Sequence, residues 1–79
     1  MRLDKYLKVS RLIKRRTVAN EACDGGRVMI NDKVAKASAE VKQGDTITIS
    51  FGNREVKVEV LDVQEIVRKD EAKELFRYL

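Results

Sequence analysis

Apolar positions along this chain recur with two periods, and the switch from one to the other marks its elements. From Arg2 to Val9 the residues Leu3, Tyr6 and Leu7 share one side of a 3.6-residue repeat while Arg2, Lys5 and Lys8 project from the other. That spacing predicts a short amphipathic helix. Asp4 stands four residues before Lys8, the favourable order for a helical ion pair, and near the positive end of the helix dipole. Ser10 is placed to end this helix and Leu12 and Ile13 to pin it to a core. Thr17 is then the expected N-cap of a second helix reaching about Cys23, with Lys14, Arg15 and Arg16 exposed at the elbow between the two. Asp24-Gly25-Gly26 stops that helix, because glycine accepts a positive φ without strain.

After Gly26 the period is two. Val28 and Ile30 alternate with Arg27, Met29 and Asn31, which predicts a half-buried strand, and Asn31-Asp32 can reverse the chain into Lys33-Val34-Ala35. Gln43-Gly44-Asp45 marks another turn, followed by Ile47, Ile49 and Phe51 alternating with Thr46, Thr48 and Ser50. Gly52-Asn53 fits a two-residue hairpin loop, and Val56, Val58 and Val60 form the returning strand. Near the end, Asp70 is placed to cap a helix whose Ala72, Leu75, Phe76 and Leu79 follow the i, i+3, i+4, i+7 stripe. The expectation is one α+β domain spanning residues 1–79: two N-terminal helices with a basic elbow, packed on a small, mostly antiparallel sheet, plus a C-terminal helix. Phe51, Tyr6 and the Leu75/Phe76 stripe are expected in the core, with docking to a partner protein as the alternative for the stripe.

Composition narrows the chemistry. With 79 residues, one cysteine and no histidine, the chain has no intramolecular disulfide, no Cys/His zinc site of its own and no imidazole base. Cys23 reads as a small packing residue. The remaining carboxylates are scattered rather than paired for acid–base work, so no catalytic residue, metal ligand or cofactor is expected. No apolar run approaches the ~20 residues that span a bilayer, and the opening Met1-Arg2-Leu3-Asp4-Lys5 lacks the hydrophobic stretch of a signal peptide. A soluble, cytoplasmic protein without membrane contact is expected. Charge is lopsided: residues 1–40 carry ten Lys and Arg against five Asp and Glu, while residues 41–79 carry seven against eight. Arg2, Lys5, Lys8, Arg11, Lys14, Arg15 and Arg16 lie within one stretch whose single acid is Asp4. Six net like charges within one screening length of ~8 Å repel one another unless a polyanion relieves them.

These residues resemble a known family, the RNA-binding domain named after small-subunit ribosomal protein four, the S-four domain. The opening RLDKYLKVSRLIKRRTVANE is similar to its basic helix, elbow and second helix, and GGRVMINDKVAKASAEVKQGDTITI to its glycine, strand, Asn-containing turn and closing Val-x-x-Gly-Asp turn. The signature covers about residues 2–50, and the hairpin and C-terminal helix about 46–79. Asp32 departs from the family's usual glycine, which affects only the turn type, since Asp tolerates unusual turn φ. No second domain is expected to hold the chemistry of the enzymes to which such domains are often appended. It resembles stand-alone members, above all those of bacterial ribosome-associated quality control, which are shorter than the related fifteen-kilodalton heat-shock protein. The resemblance implies a monomer that binds large-subunit rRNA and peptidyl-tRNA on the large ribosomal subunit and assists an RqcH-type factor adding C-terminal alanine tails. The alternatives are a heat-shock-type factor recycling stalled large subunits with peptidyl-tRNA, or a ribosome-assembly module.

Arginine and lysine neutralise phosphates and release counterions, and four of the seven clustered bases are arginines with a bidentate fork. With four aromatic residues the chain lacks a stacking platform, so folded RNA rather than a single strand is the expected ligand. The candidate contacts are Arg2, Lys5, Lys8, Arg11, Lys14, Arg15 and Arg16, with Lys33 and Lys36 behind them. Asp4 joins the site by the resemblance, either accepting from a base or orienting Arg2 or Lys8. A DNA-reading helix-turn-helix is the rival, but its second helix, Thr17 to Cys23, lacks base-reading Arg, Gln or Ser. A small-molecule enzyme is the weaker rival.

Overall fold

The computed structural model describes residues 1–79. Helix α1 spans Leu3–Val9 and α2 spans Arg16–Asp24. The strands are β1 Val28–Ile30, β2 Lys33–Val34, β3 Thr46–Phe51, β4 Arg54–Val60 and β5 Phe76–Tyr78, with a 3-10 helix at Lys69–Leu75 before β5. One antiparallel sheet in the order β2-β1-β3-β4-β5 carries the helices on one face. The α+β class and the antiparallel sheet agree with the sequence pattern.

The core forms where the two periods meet. Leu3, Tyr6 and Leu7 of α1, Ile13 of the elbow, and Ala19, Ala22 and Cys23 of α2 pack on Val28, Ile47, Ile49, Val58 and Val60 of the sheet. Burial pushes the Cys23 thiol up to about 11, helped by the negative charges of Asp4 and Asp24, so the thiol stays protonated and packs as a small apolar group.

The first N–H groups of α1 have no partner within the helix. They are met by another segment: Leu3 and Asp4 donate to the carbonyls of Ala39 (2.8 Å) and Ala37 (3.2 Å), and Val41 donates to the carbonyl of Met1 (2.9 Å). The turns of the signature are clamped together. The Asn31 side chain accepts from the Thr46 N–H at 3.0 Å and donates to Asp45 at 3.1 Å, tying the β1–β2 reversal to the Gly44-Asp45 turn. Asn31 and Asp32 both have positive φ, 52° and 67°, the type I′ geometry that normally favours glycine at the second position. Gly52 has φ 60° while Asn53 does not enter the left-handed region, as a glycine-first hairpin requires.

Three expectations are corrected. Thr17 lies inside α2, whose N-cap is Arg15 without a side-chain cap bond, so Arg16 opens the helix while Lys14 and Arg15 precede it. The C-terminal helix is a 3-10 helix followed by a strand: Arg68, not Asp70, is its N-cap, and Phe76 pairs with Val60 on the free edge of β4. Ala72, Leu75 and Phe76 are buried as the stripe implied, but Leu79 is exposed. Phe51 is 43% exposed, because its strand runs past the helices into the hairpin and its alternation continues where the core has ended.

Candidate nucleic-acid interface

The site is built around a buried carboxylate. Asp4 follows Leu3 on the core side of α1 and its side chain is only 3% exposed. Its Oδ1 accepts from Arg2 Nε at 3.1 Å and from the Lys5 backbone N–H at 2.8 Å. Its Oδ2 accepts from Asn20 Nδ2 at 3.2 Å and lies 3.5 Å from Arg16 Nε. Burial works against ionisation of Asp4, but the hydrogen bonds from Asn20, Arg2, the Lys5 N–H and Arg16 outweigh it and hold the carboxyl below its usual range. The helical pair with Lys8 read from the sequence is therefore replaced by a long-range arrangement. One carboxylate holds two guanidiniums from different elements, each side chain about half exposed. Asn20 is a residue of the candidate site that the sequence reading missed; its position four residues after Arg16, on the same helical face, was the available signal.

The seven bases fall into two groups. Arg16 lines a groove with Asp4, Thr17, Asn20 and Glu21, and Arg2 reaches it through Asp4. Lys8, Arg11 and Lys14 line a second groove, between the end of α1 and the loop at 65–67, with Val9 beside them and Glu65, Ile66 and Val67 contributed by the loop. None of Lys8, Arg11, Lys14 and Arg15 forms an ion pair, whereas Lys5 is bound by Glu65. That pair holds the Glu65 carboxyl below its usual range. Arg15 is exposed at the start of α2 and lines neither groove. Lys33 and Lys36 are exposed outside both grooves; Lys33 sits on the edge strand β2, and Lys36 precedes Ala37, whose carbonyl binds the start of α1.

The elbow has a strained residue. Arg11 follows the last turn of α1 with φ 63°, the left-handed conformation that glycine commonly supplies after a helix and that costs an L-residue about 1–2 kcal/mol. Its N–H donates to the Lys8 carbonyl at 3.1 Å, and Ile13 donates to the Leu7 carbonyl at 3.1 Å. The turn therefore closes the helix while directing a cationic side chain into the second groove. Glu65, Ile66 and Val67, fifty residues further on, carry no local signal of their part in this groove.

A family model for the S4 domain, the S-four family, matches residues 1–47. Over 76 residues, 96% of this chain and 86% of the relative, the sequence is 58% identical to the "RQC P-site tRNA stabilizing factor" of Halalkalibacterium halodurans. It is 52% identical to the protein of the same name from Bacillus subtilis, over all of this chain and 92% of that one. Among solved structures, Vibrio cholerae Heat Shock Protein 15 matches with a TM-score of 0.92 at 34% identity, covering 100% of this chain and 81% of that chain.

Proposed function

Because this chain belongs to the S4 domain family, we propose that it is a non-catalytic RNA-binding factor of the large ribosomal subunit, of the RqcP type that acts in ribosome-associated quality control. It grips folded rRNA and P-site peptidyl-tRNA through the surface formed by α1, the elbow and the start of α2. The observation that carries this reading is the state of the bases there. Four of them have no acid of the chain to pair with, and the two arginines that do share a single buried carboxylate. A surface of uncompensated cations on a rigid frame is suited to polyphosphate. Phosphate contacts are assigned to Lys8, Arg11, Lys14 and Arg15, with Arg2 and Arg16 as oriented forks. Lys5, while paired with Glu65, adds its charge to the same surface, and Lys33 and Lys36 contribute from the periphery. Asp4 acts by orienting Arg2 and Arg16, since its oxygens are occupied by donors of the chain itself.

The names of the relatives support placing the factor beside a P-site tRNA. The proposal extends to a cytoplasmic protein that is a monomer off the ribosome, cooperates with an RqcH-type tailing factor and catalyses no reaction of its own. The match to Heat Shock Protein 15 favours, as a second reading, a factor recycling stalled large subunits. Loss of C-terminal alanine tails in cells lacking the protein separates the first reading from the second. The primary test is sedimentation of cell extract: the protein travels with free large subunits, and Arg16→Ala leaves it at the top of the gradient. Migration with small subunits alone overturns the reading.

A further inference from the structure

We propose that the groove between the end of α1 and the 65–67 loop seats one unstacked, extrahelical nucleotide of the bound RNA, with its phosphate on Lys8, Arg11 and Lys14 and its base against Ile66. This rests on the RNA-binding reading above and names what one part of that surface recognises. Ile66 is 90% exposed, the most exposed large apolar residue of the chain. A lone exposed isoleucine on a convex surface needs no explanation. This one lies in a concave groove whose facing wall is cationic. An aliphatic wall opposite three cations is a poor match for a stacked helical backbone, which presents hydrated phosphate and sugar alone. It suits a ligand with an anion at one end and a flat, weakly polar face at the other, which describes a nucleotide turned out of its stack, the form in which proteins commonly read RNA bases.

Two further observations orient that ligand. Arg11 is held in the left-handed region at φ 63°, where glycine would serve the turn better, and backbone strain of this kind gathers at binding sites. Glu65 lines the loop side of the groove and is bound to Lys5. Its charge repels phosphate, so the anion is confined to the side of Lys8, Arg11 and Lys14 and the base turns toward the loop.

The test uses the full chain with a short RNA hairpin carrying a one-nucleotide bulge and with the same hairpin lacking the bulge, at fixed salt. The intact chain binds the bulged hairpin about tenfold more tightly, the gain expected when part of an isoleucine side chain leaves water on binding. Ile66→Ser removes that preference, leaves the affinity for the unbulged hairpin unchanged, and leaves the thermal transition in place because the side chain makes no core contact. Equal affinity of the intact chain for both hairpins, with normal salt dependence, overturns the nucleotide seat while sparing the RNA-binding reading, and Ile66 then belongs to a protein contact. Binding to neither hairpin overturns the underlying RNA reading and the seat with it.

Discussion

Asp4 of α1 and Arg16 of α2 meet at 3.5 Å although eleven residues and a turn separate them, and Arg2 reaches the same carboxylate from the other side at 3.1 Å. The pairing links the two helices and directs both guanidiniums at once. It also gives Asp4 a role with a definite sign. Asp4→Asn adds one unit of positive charge, so a residue that merely repelled phosphate would bind RNA better after the change. If Asp4 orients the arginines, the variant binds RNA less tightly. It also loses about 2 kcal/mol of stability, because a donor now faces donors in a buried position. A thermal melt alongside an RNA titration reads both effects.

The same carboxylate makes stability depend on acid. Its folded pKa is depressed below the unfolded value of about 3.9, so its contribution is fully present above that pH and is lost as pH falls through the folded pKa. Melting temperatures measured from pH 6 downward should drop below about pH 4, and Asp4→Asn should flatten that part of the profile.

Arg11 and Asp32 share an unusual backbone, with φ 63° and 67°, but only Arg11 faces a groove. Arg11→Gly and Asp32→Gly should each raise stability by roughly 0.5–1 kcal/mol, the relief of left-handed strain less the added entropy of the unfolded glycine. RNA affinity should fall for Arg11→Gly alone. Equal affinities for the two variants would remove Arg11 from the site.

The C-terminal segment is core rather than appendage. The Tyr6 hydroxyl donates to the Leu75 carbonyl at 2.7 Å, and Ala72, Leu75 and Phe76 are buried. Truncation after Lys69 removes on the order of 5 kcal/mol of apolar burial, comparable to the whole stability of a chain this size at ~0.1 kcal/mol per residue, and should abolish the cooperative transition. Tyr6→Phe should cost about 1 kcal/mol. Burial, and then the charge of Asp62, raise the Tyr6 phenol above its ordinary value. The folded state therefore keeps it neutral, and stability declines as pH rises beyond about 10.

What the sequence made legible follows from how local each signal is. The turns at Asn31-Asp32, Gly44-Asp45 and Gly52-Asn53 and the alternation of β3 and β4 depend on neighbouring residues, and they stand where the pattern put them. For Asp4, four-residue spacing favoured Lys8 and the resemblance offered Arg2; the Arg2 pairing is the one observed, and the partners that had no local signal, Asn20 and Arg16, arrive from α2. Its burial had a trace in the pattern, since it lies beside Leu3 and one turn before Leu7. The C-terminal stripe satisfied a helical period over too few residues. Phe76-Arg77-Tyr78 equally satisfies a strand period, and the open edge of β4 decided between them. The 65–67 wall of the second groove had no readable signal, because only the fold brings it to α1.

The most direct test of the central claim is the salt dependence of binding to large-subunit rRNA for the intact chain and for a Lys8→Ala, Arg11→Ala, Lys14→Ala triple variant. Counterion release predicts a linear fall of log affinity with log salt, and a slope shallower by roughly two to three in the variant, at ~0.7–0.9 per lost phosphate contact. Identical slopes for the two proteins, or binding of the intact chain that does not change with salt, would contradict the account.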